Sequence, residues 1–87
     1  MERGQFFRYV VDGTYLTVRC EGDMCFVLEP KQFSLYGLNR TQADLIYRNV
    51  IMRKNVDEIV ADLNLGEDGH RVVIDNFFDE CKCKGLI

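Results

Sequence analysis

The sequence predicts an α+β fold in which an N-terminal antiparallel β-meander of three to four strands is followed by three α-helices. Hydrophobic residues alternate with a period of two up to about residue 38 and recur with helical spacing from about residue 40. The change falls in the segment 33–39, Phe-Ser-Leu-Tyr-Gly-Leu-Asn. A chain of 87 residues has room for one hydrophobic core, so we expect residues 1–87 to form a single domain.

Turn-forming residues separate the predicted strands. Residues 6–11 and 14–20 flank Asp12-Gly13, a pair that accepts the positive φ angles of a tight hairpin turn. Residues 21–24 form a second turn before a third strand over 25–28, which Pro30 ends because it has no N–H to donate. The segment 33–38 is then the last strand. We expect it to be an edge of the sheet with unpaired backbone N–H and C=O groups.

Two asparagines mark the starts of the first two helices. Asn39 and Asn55 are followed three residues later by Gln42 and Glu58, which is the pattern of a capping box. The predicted boundaries are an end near Arg53 and Lys54 for the first helix, an end at Gly66 for the second, and about His70 to Lys84 for the third, with Gly85 as its C-terminal cap.

The third helix carries more apolar residues than one buried stripe requires. Ile74, Phe77, Phe78 and Cys81 form a stripe as wide as a core face, and Val73 extends it on one side. This surplus suggests two neighbours, the core and something beside it. In the alternative interpretation, a small domain without tryptophan fills its centre with the two phenylalanines.

Charge and composition narrow the classes of partner and compartment. A net charge of −3 disfavours nucleic acid, because phosphate binding needs an excess of Lys and Arg on one face. The N-terminal residues do not form a signal peptide, and no apolar run approaches the ~20 residues of a membrane span. We therefore expect a cytoplasmic protein with no membrane contact, whose four cysteines are reduced thiols.

The residue patterns of catalysis and metal binding are weak. His70 is the only histidine and has no nucleophile arranged with it, while Asp75, Asp79 and Glu80 fit a solvated helix face. We expect no enzyme activity, no catalytic residue and no cofactor. Zinc bound by the four cysteines is a weak alternative, since residues two apart on a helix point about 200° apart. The more ordinary interpretation makes these residues small hydrophobic side chains, paired across a hairpin or lying in the core stripe. The four are Cys20, Cys25, Cys81 and Cys83.

The order of elements resembles that of the PqqD-like family, small domains that recognise the leader of ribosomally made and modified peptides. The similarity covers about residues 15–87, which leaves 6–11 as an added N-terminal strand. It rests on the strand that ends in Leu38-Asn39 directly before a helix, on the helix Asn-Val-Asp-Glu-Ile-Val-Ala-Asp-Leu over 55–63, and on the apolar spacing of the last helix before Gly-Leu-Ile.

The resemblance implies a winged helix-turn-helix-like fold and a peptide-binding function. In such proteins the leader peptide adds as an extra strand to the last strand and places apolar side chains against the last helix. The implied partners are a precursor peptide and a modifying enzyme, for which a radical SAM enzyme is one candidate, and the implied state is a monomer or weak homodimer. We expect the Arg71 guanidinium to bind a carboxylate of the leader peptide. The implied contact residues are Phe33, Ser34, Leu35, Tyr36, Gly37 and Leu38 on the strand, and Arg71, Ile74, Phe77 and Phe78 on the helix.

Two other functions remain open from the sequence. A winged-helix DNA-binding regulator uses the same elements, although the helix over 56–63 offers acidic residues and no cation. A non-catalytic scaffold that dimerises through its edge strand is the third possibility. Gly37 has two interpretations as well, since a strand glycine permits close approach of another backbone or marks a bulge.

Overall fold

A computed structural model of the chain describes residues 5–65 and 68–87. Four strands precede three helices, as the sequence predicts. The elements are β1 (Gln5–Val11), β2 (Thr14–Glu21), β3 (Met24–Glu29), β4 (Ser34–Asn39), α1 (Arg40–Val50), α2 (Val56–Asp62) and α3 (Asp68–Cys83).

The four strands form one antiparallel meander in the order β1-β2-β3-β4, which confirms the predicted α+β class. Asp12 and Gly13 have φ angles of +50° and +79°, the combination that a type I′ hairpin turn needs. Gly22 has a φ of +61° at the first position of the second turn. Phe33 has a φ of +56° and precedes the last strand, which begins at Ser34 and extends to Asn39.

Both predicted capping boxes are present. The Asn39 side chain accepts a hydrogen bond from the Gln42 backbone N–H at 2.7 Å, and the Gln42 side chain accepts from the Asn39 N–H at 3.0 Å. The corresponding distances for Asn55 and Glu58 are 2.9 Å and 3.0 Å. These bonds satisfy backbone donors that the first turn of a helix leaves unpaired.

The ends of the first two helices differ from the prediction. α1 ends at Val50, and the Arg53 expected in its last turn has a φ of +59° in the connection to α2. α2 ends at Asp62, and Asn64 takes a φ of +58°. Asparagine tolerates this left-handed conformation better than most residues, so the reversal needs no glycine. The predicted stop at Gly66 lies outside the described residues.

The end of α3 is a Schellman motif. Gly85 has a φ of +76°, its N–H donates to the Lys82 carbonyl at 3.1 Å, and the Leu86 N–H donates to the Cys81 carbonyl at 2.8 Å. Leu86 folds back into the core and is 1% exposed. The predicted glycine cap is therefore confirmed.

The core has two clusters joined by shared neighbours. The first lies between the inner face of the sheet, α1 and the C-terminal end of α3. The second lies among the helices and consists of Leu45, Ile59, Ile74 and Phe78. Phe77 and Ile87 pack against both clusters. No helix of the described residues has the length and apolar character needed to cross a membrane.

Candidate functional site

β4 is an edge of the sheet, as the sequence predicts. Within the described residues it pairs with β3 alone, in a continuous register from Met24 opposite Asn39 to Glu29 opposite Ser34. Gly37 lies opposite Phe26 in that register, so the glycine marks no bulge. A Cβ atom built at Gly37 would meet no atom within 4 Å. The outer face of the sheet is therefore open at Gly37.

The register identifies which backbone groups of β4 are free. Glu21 and Met24 flank a two-residue turn and so form a hydrogen-bonded pair, and such pairs alternate with non-hydrogen-bonded ones in an antiparallel ladder. The residues of β4 that bond to β3 are therefore Ser34, Tyr36 and Leu38. The N–H and C=O groups of Leu35 and Gly37 point away from the sheet.

Local structure limits this edge at both ends. At one end the Asn39 N–H, which also points outward, is occupied by the Gln42 side chain of the capping box. At the other end the Glu29 carboxylate is buried and accepts hydrogen bonds from the backbone N–H groups of Lys31 and Gln32 at 2.6 Å and 3.0 Å. Charge-assisted bonds of this kind hold the connection between β3 and β4. The free edge is thus short and fixed in position.

The two faces of β4 have different surroundings. On the inner face Leu38 is buried under α1, while Ser34 and Tyr36 are half-buried. On the outer face Leu35 is 63% exposed, and Phe33, which precedes the strand in a left-handed conformation, is 89% exposed. A peptide paired with β4 would therefore place alternate side chains in a partly covered site and on an open apolar surface.

The C-terminal end of α3 lies beside the middle of β4. The Lys84 ammonium is 5.7 Å from the centre of the Tyr36 ring, within the range of a cation–π interaction. Lys84 also lines an open depression of about 170 Å³, but this depression lies between the β1–β2 hairpin and the β3–β4 connection, and no residue of β4 lines it. This volume fits a single side chain and is smaller than the pockets that hold drug-sized ligands.

The helix residues of the predicted site are placed less simply. Ile74 and Phe78 are each 4% exposed in the cluster among the helices, which agrees with the alternative in which phenylalanine fills the centre. Phe77 is half-buried and keeps some accessible surface. In this conformation a peptide could reach Ile74 and Phe78 only after α3 moved. Contact by these residues stays a prediction.

Arg71 lies far from β4 along the helix. It is 13 residues before Lys84, which corresponds to about 20 Å of helix. Its guanidinium contacts the Asp57 carboxylate of α2, and its Nε is 3.7 Å from Asp75 Oδ2. These pairs connect α3 to α2, so a role for Arg71 towards a peptide also stays a prediction.

The cysteines correct two expectations. Cys20 and Cys25 form a disulfide with an S–S distance of 2.10 Å and a Cα–Cα distance of 4.0 Å, so the expectation of four reduced thiols is wrong. They occupy a non-hydrogen-bonded pair, where opposite side chains come closest. Cys81 is buried and Cys83 exposed, and no group of potential metal ligands occurs among the described residues. The weak zinc alternative, which needed all four sulfurs together, is therefore wrong.

Two buried titratable groups lie in the core beside the site. Burial raises the pKa of the Cys81 thiol to about 11. The nearby positive charge of Lys84 favours the thiolate and so lowers this pKa, but by less than burial raises it. Burial, with a smaller contribution from Cys81, raises the pKa of Tyr9, whose O–H donates to the Leu86 carbonyl at 2.5 Å. A thiol held protonated by burial is inert, so Cys81 has a structural role.

Comparison of the chain with protein-family models, with curated proteins and with solved structures found no match.

Proposed function

We propose that this chain binds the leader segment of a ribosomally made precursor peptide by strand addition to β4, and presents the precursor to a modifying enzyme. The observation that carries the proposal is the pair of outward-pointing residues, Leu35 and Gly37, on an edge strand limited at both ends. The resemblance of the sequence to PqqD-like domains supports a leader peptide as the client. A radical SAM enzyme is one candidate for the modifying partner.

Strand addition divides the binding energy between backbone and side chains. Leu35 and Gly37 offer two donors and two acceptors, and each hydrogen bond contributes about 0.5–1.5 kcal/mol net. These bonds carry little sequence preference, so selectivity has to come from alternate side chains of the peptide. Those on the inner side would lie near Tyr36 and Lys84, and those on the outer side near Leu35.

The acidic character of α2 argues against the regulator alternative. Asp57 and Glu58 lie in its first turn, and its last turn has no basic residue. A helix with this charge would repel the phosphates that line the major groove. A cytoplasmic location remains part of the proposal, although a disulfide is uncommon in a reducing compartment.

Proline substitutions at the two edges of the sheet test the proposal. Gly37→Pro removes an outward N–H and no bond to β3, which an edge position tolerates. Arg8→Pro is the matched control, because the register of β1 places the Arg8 N–H on the opposite edge of the sheet. The probe is a synthetic leader peptide of a ribosomally made precursor, with affinity measured by calorimetry.

We expect Gly37→Pro to weaken leader binding roughly two- to tenfold and Arg8→Pro to leave it unchanged, with circular dichroism showing that both variants fold. In NMR titration of the unmodified chain, the amides of Leu35 and Gly37 should shift and gain protection from exchange. Equal loss in both variants, or shifts confined to β1, would refute binding at β4. Arg71→Ala reports separately on the predicted helix contact.

A further inference from the structure

The outer face of the sheet, the side away from the helices, is largely apolar. Leu28 lies directly opposite Leu35 in the register and diagonally across from Tyr15. The charged residues of this face lie on β1 and β2, so the half formed by β3 and β4 is the more apolar. The exposed apolar residues that the strand register places on this face, with their exposed fractions, are Val10 53%, Tyr15 66%, Met24 54%, Phe26 37%, Leu28 48% and Leu35 63%. We call this set the outer patch.

The outer patch has the size of a protein interface. At these exposed fractions, residues of this size present on the order of 600 Å², the lower end of the area that each partner buries in a standard interface. The largest apolar patch of a typical monomer is about 300–600 Å². At roughly 25 cal/mol per Å², covering the patch offers a large hydrophobic driving force.

The charges around the outer patch permit contact between two copies. The chain has a net charge of −3, but among the described strand residues the charged side chains on this face are Arg8, Arg19 and Glu21. The Nε of Arg19 is 3.1 Å from Glu21 Oε2, so this pair is locally neutral. Apposing two such faces therefore brings no acidic cluster against another.

We propose that the outer patch is a homodimer interface in which the sheets of two copies pack face to face. Two sheets that pack in this way lie about 10 Å apart, and their apolar side chains interdigitate. A two-fold symmetric contact buries the same patch on both copies and closes on itself. The free N–H and C=O groups of β4 lie in the plane of the sheet, so this dimer leaves them accessible. It differs in this respect from a dimer formed through the edge strand.

Charged substitutions with a matched control test the interface. Leu28→Lys and Leu35→Lys each place a charge within the outer patch, whereas Val73→Lys places one on α3, where Val73 is 66% exposed. The oligomeric state is measured by sedimentation velocity from about 1 to 200 µM, and folding by circular dichroism. We expect the unmodified chain to dimerise with a Kd below about 100 µM.

We expect each patch substitution to raise this Kd at least tenfold, while Val73→Lys leaves it unchanged. A chain that stays monomeric throughout the range would overturn the proposal, whatever else binds the patch. A dimer that persists in both Leu28→Lys and Leu35→Lys would also overturn the proposal. A dimer that is lost only in Gly37→Pro would be one formed through the edge strand. Leu28 and Leu35 lie on different strands. If one substitution prevents folding, the other still tests the interface.

Discussion

Tyr9 connects the first strand to the last residues of the chain. Its ring is 6% exposed in the core cluster under the sheet, and its hydroxyl reaches the Leu86 carbonyl, 77 residues away in sequence. A carbonyl beyond the end of a helix has no partner within that helix. The tyrosine therefore supplies a hydrogen bond that α3 cannot make for itself.

Removing the Tyr9 hydroxyl should lower the stability of the fold, although the substitution changes only one atom. We expect Tyr9→Phe to lower the free energy of unfolding by about 1–3 kcal/mol, because it leaves a buried carbonyl unpaired. Urea denaturation measures the change. Tyr15→Phe is the control, since Tyr15 is 66% exposed on the outer face and its loss should cost less than about 0.5 kcal/mol. Equal effects would show that the Tyr9 bond contributes nothing.

The buried Cys81 thiol should make stability depend on alkaline pH. Its pKa is raised from 9.0 to about 11, so the folded chain holds this proton more tightly than the unfolded chain. The contribution of this difference in pKa to the free energy of unfolding is fully present below pH 9. It is lost as pH rises towards 11, at up to about 1.4 kcal/mol per pH unit. The raised pKa of Tyr9 extends the loss to higher pH.

We expect unfolding free energies from urea titrations to fall between pH 9 and 11, and to fall less steeply in Cys81→Ala. Cys83→Ala is the control, since Cys83 is exposed on the same helix. An unchanged slope in Cys81→Ala would contradict the assignment to this thiol.

At the scale of elements, the disulfide fastens the β2–β3 hairpin. Cys20 and Cys25 are five residues apart, so the loop that they close is short, and the chain-entropy model gives about 2 kcal/mol for such a loop. We expect a reductant to lower the free energy of unfolding by about this amount. Mass spectrometry after thiol alkylation should show two more alkylated cysteines. A Cys20→Ala/Cys25→Ala variant should not respond to reductant, and an equal response would place the effect elsewhere.

The strands and helix starts were predictable because local chemistry determines them. Asp12-Gly13 determines a hairpin turn, and Asn39 and Asn55 satisfy backbone donors that any helix exposes. The ends of the first two helices were not predictable, because Arg53 and Asn64 adopt positive φ angles that most non-glycine residues avoid.

The strand half of the candidate site was more accessible to sequence reasoning than the helix half. The two short hairpin turns determine the register of the strands. Counting residues from these turns then shows that the backbone N–H and C=O groups of Leu35 and Gly37 point away from the sheet. The same counting places Cys20 opposite Cys25, but the expected compartment led to the wrong oxidation state. For Phe77 and Phe78, periodicity gives the width of a stripe, whereas only the packing of three helices shows which flank is covered.

At the scale of the whole molecule, the first strand and the last residues of the chain stabilise each other. Leu86 is 1% exposed in a cluster that contains residues of the sheet, of α1 and of α3. Its backbone completes the Schellman motif of α3, and its carbonyl receives the Tyr9 hydroxyl. Unfolding the end of α3 would therefore uncover the inner face of the sheet. Sheet and helices should unfold in one transition, as small domains usually do.

Leu86→Ala tests this coupling. The substitution leaves a cavity between the sheet and α3, and we expect it to cost about 2–5 kcal/mol, against less than about 0.5 kcal/mol for Val72→Ala on the exposed face of α3. Hydrogen exchange should show the same loss of protection in β1, β2 and α3, because the cavity destabilises the one folded state that all three share. If protection were lost only in α3, the end of this helix would open while the sheet stayed folded. The contact between Tyr9 and Leu86 would then stabilise the helix but not the sheet.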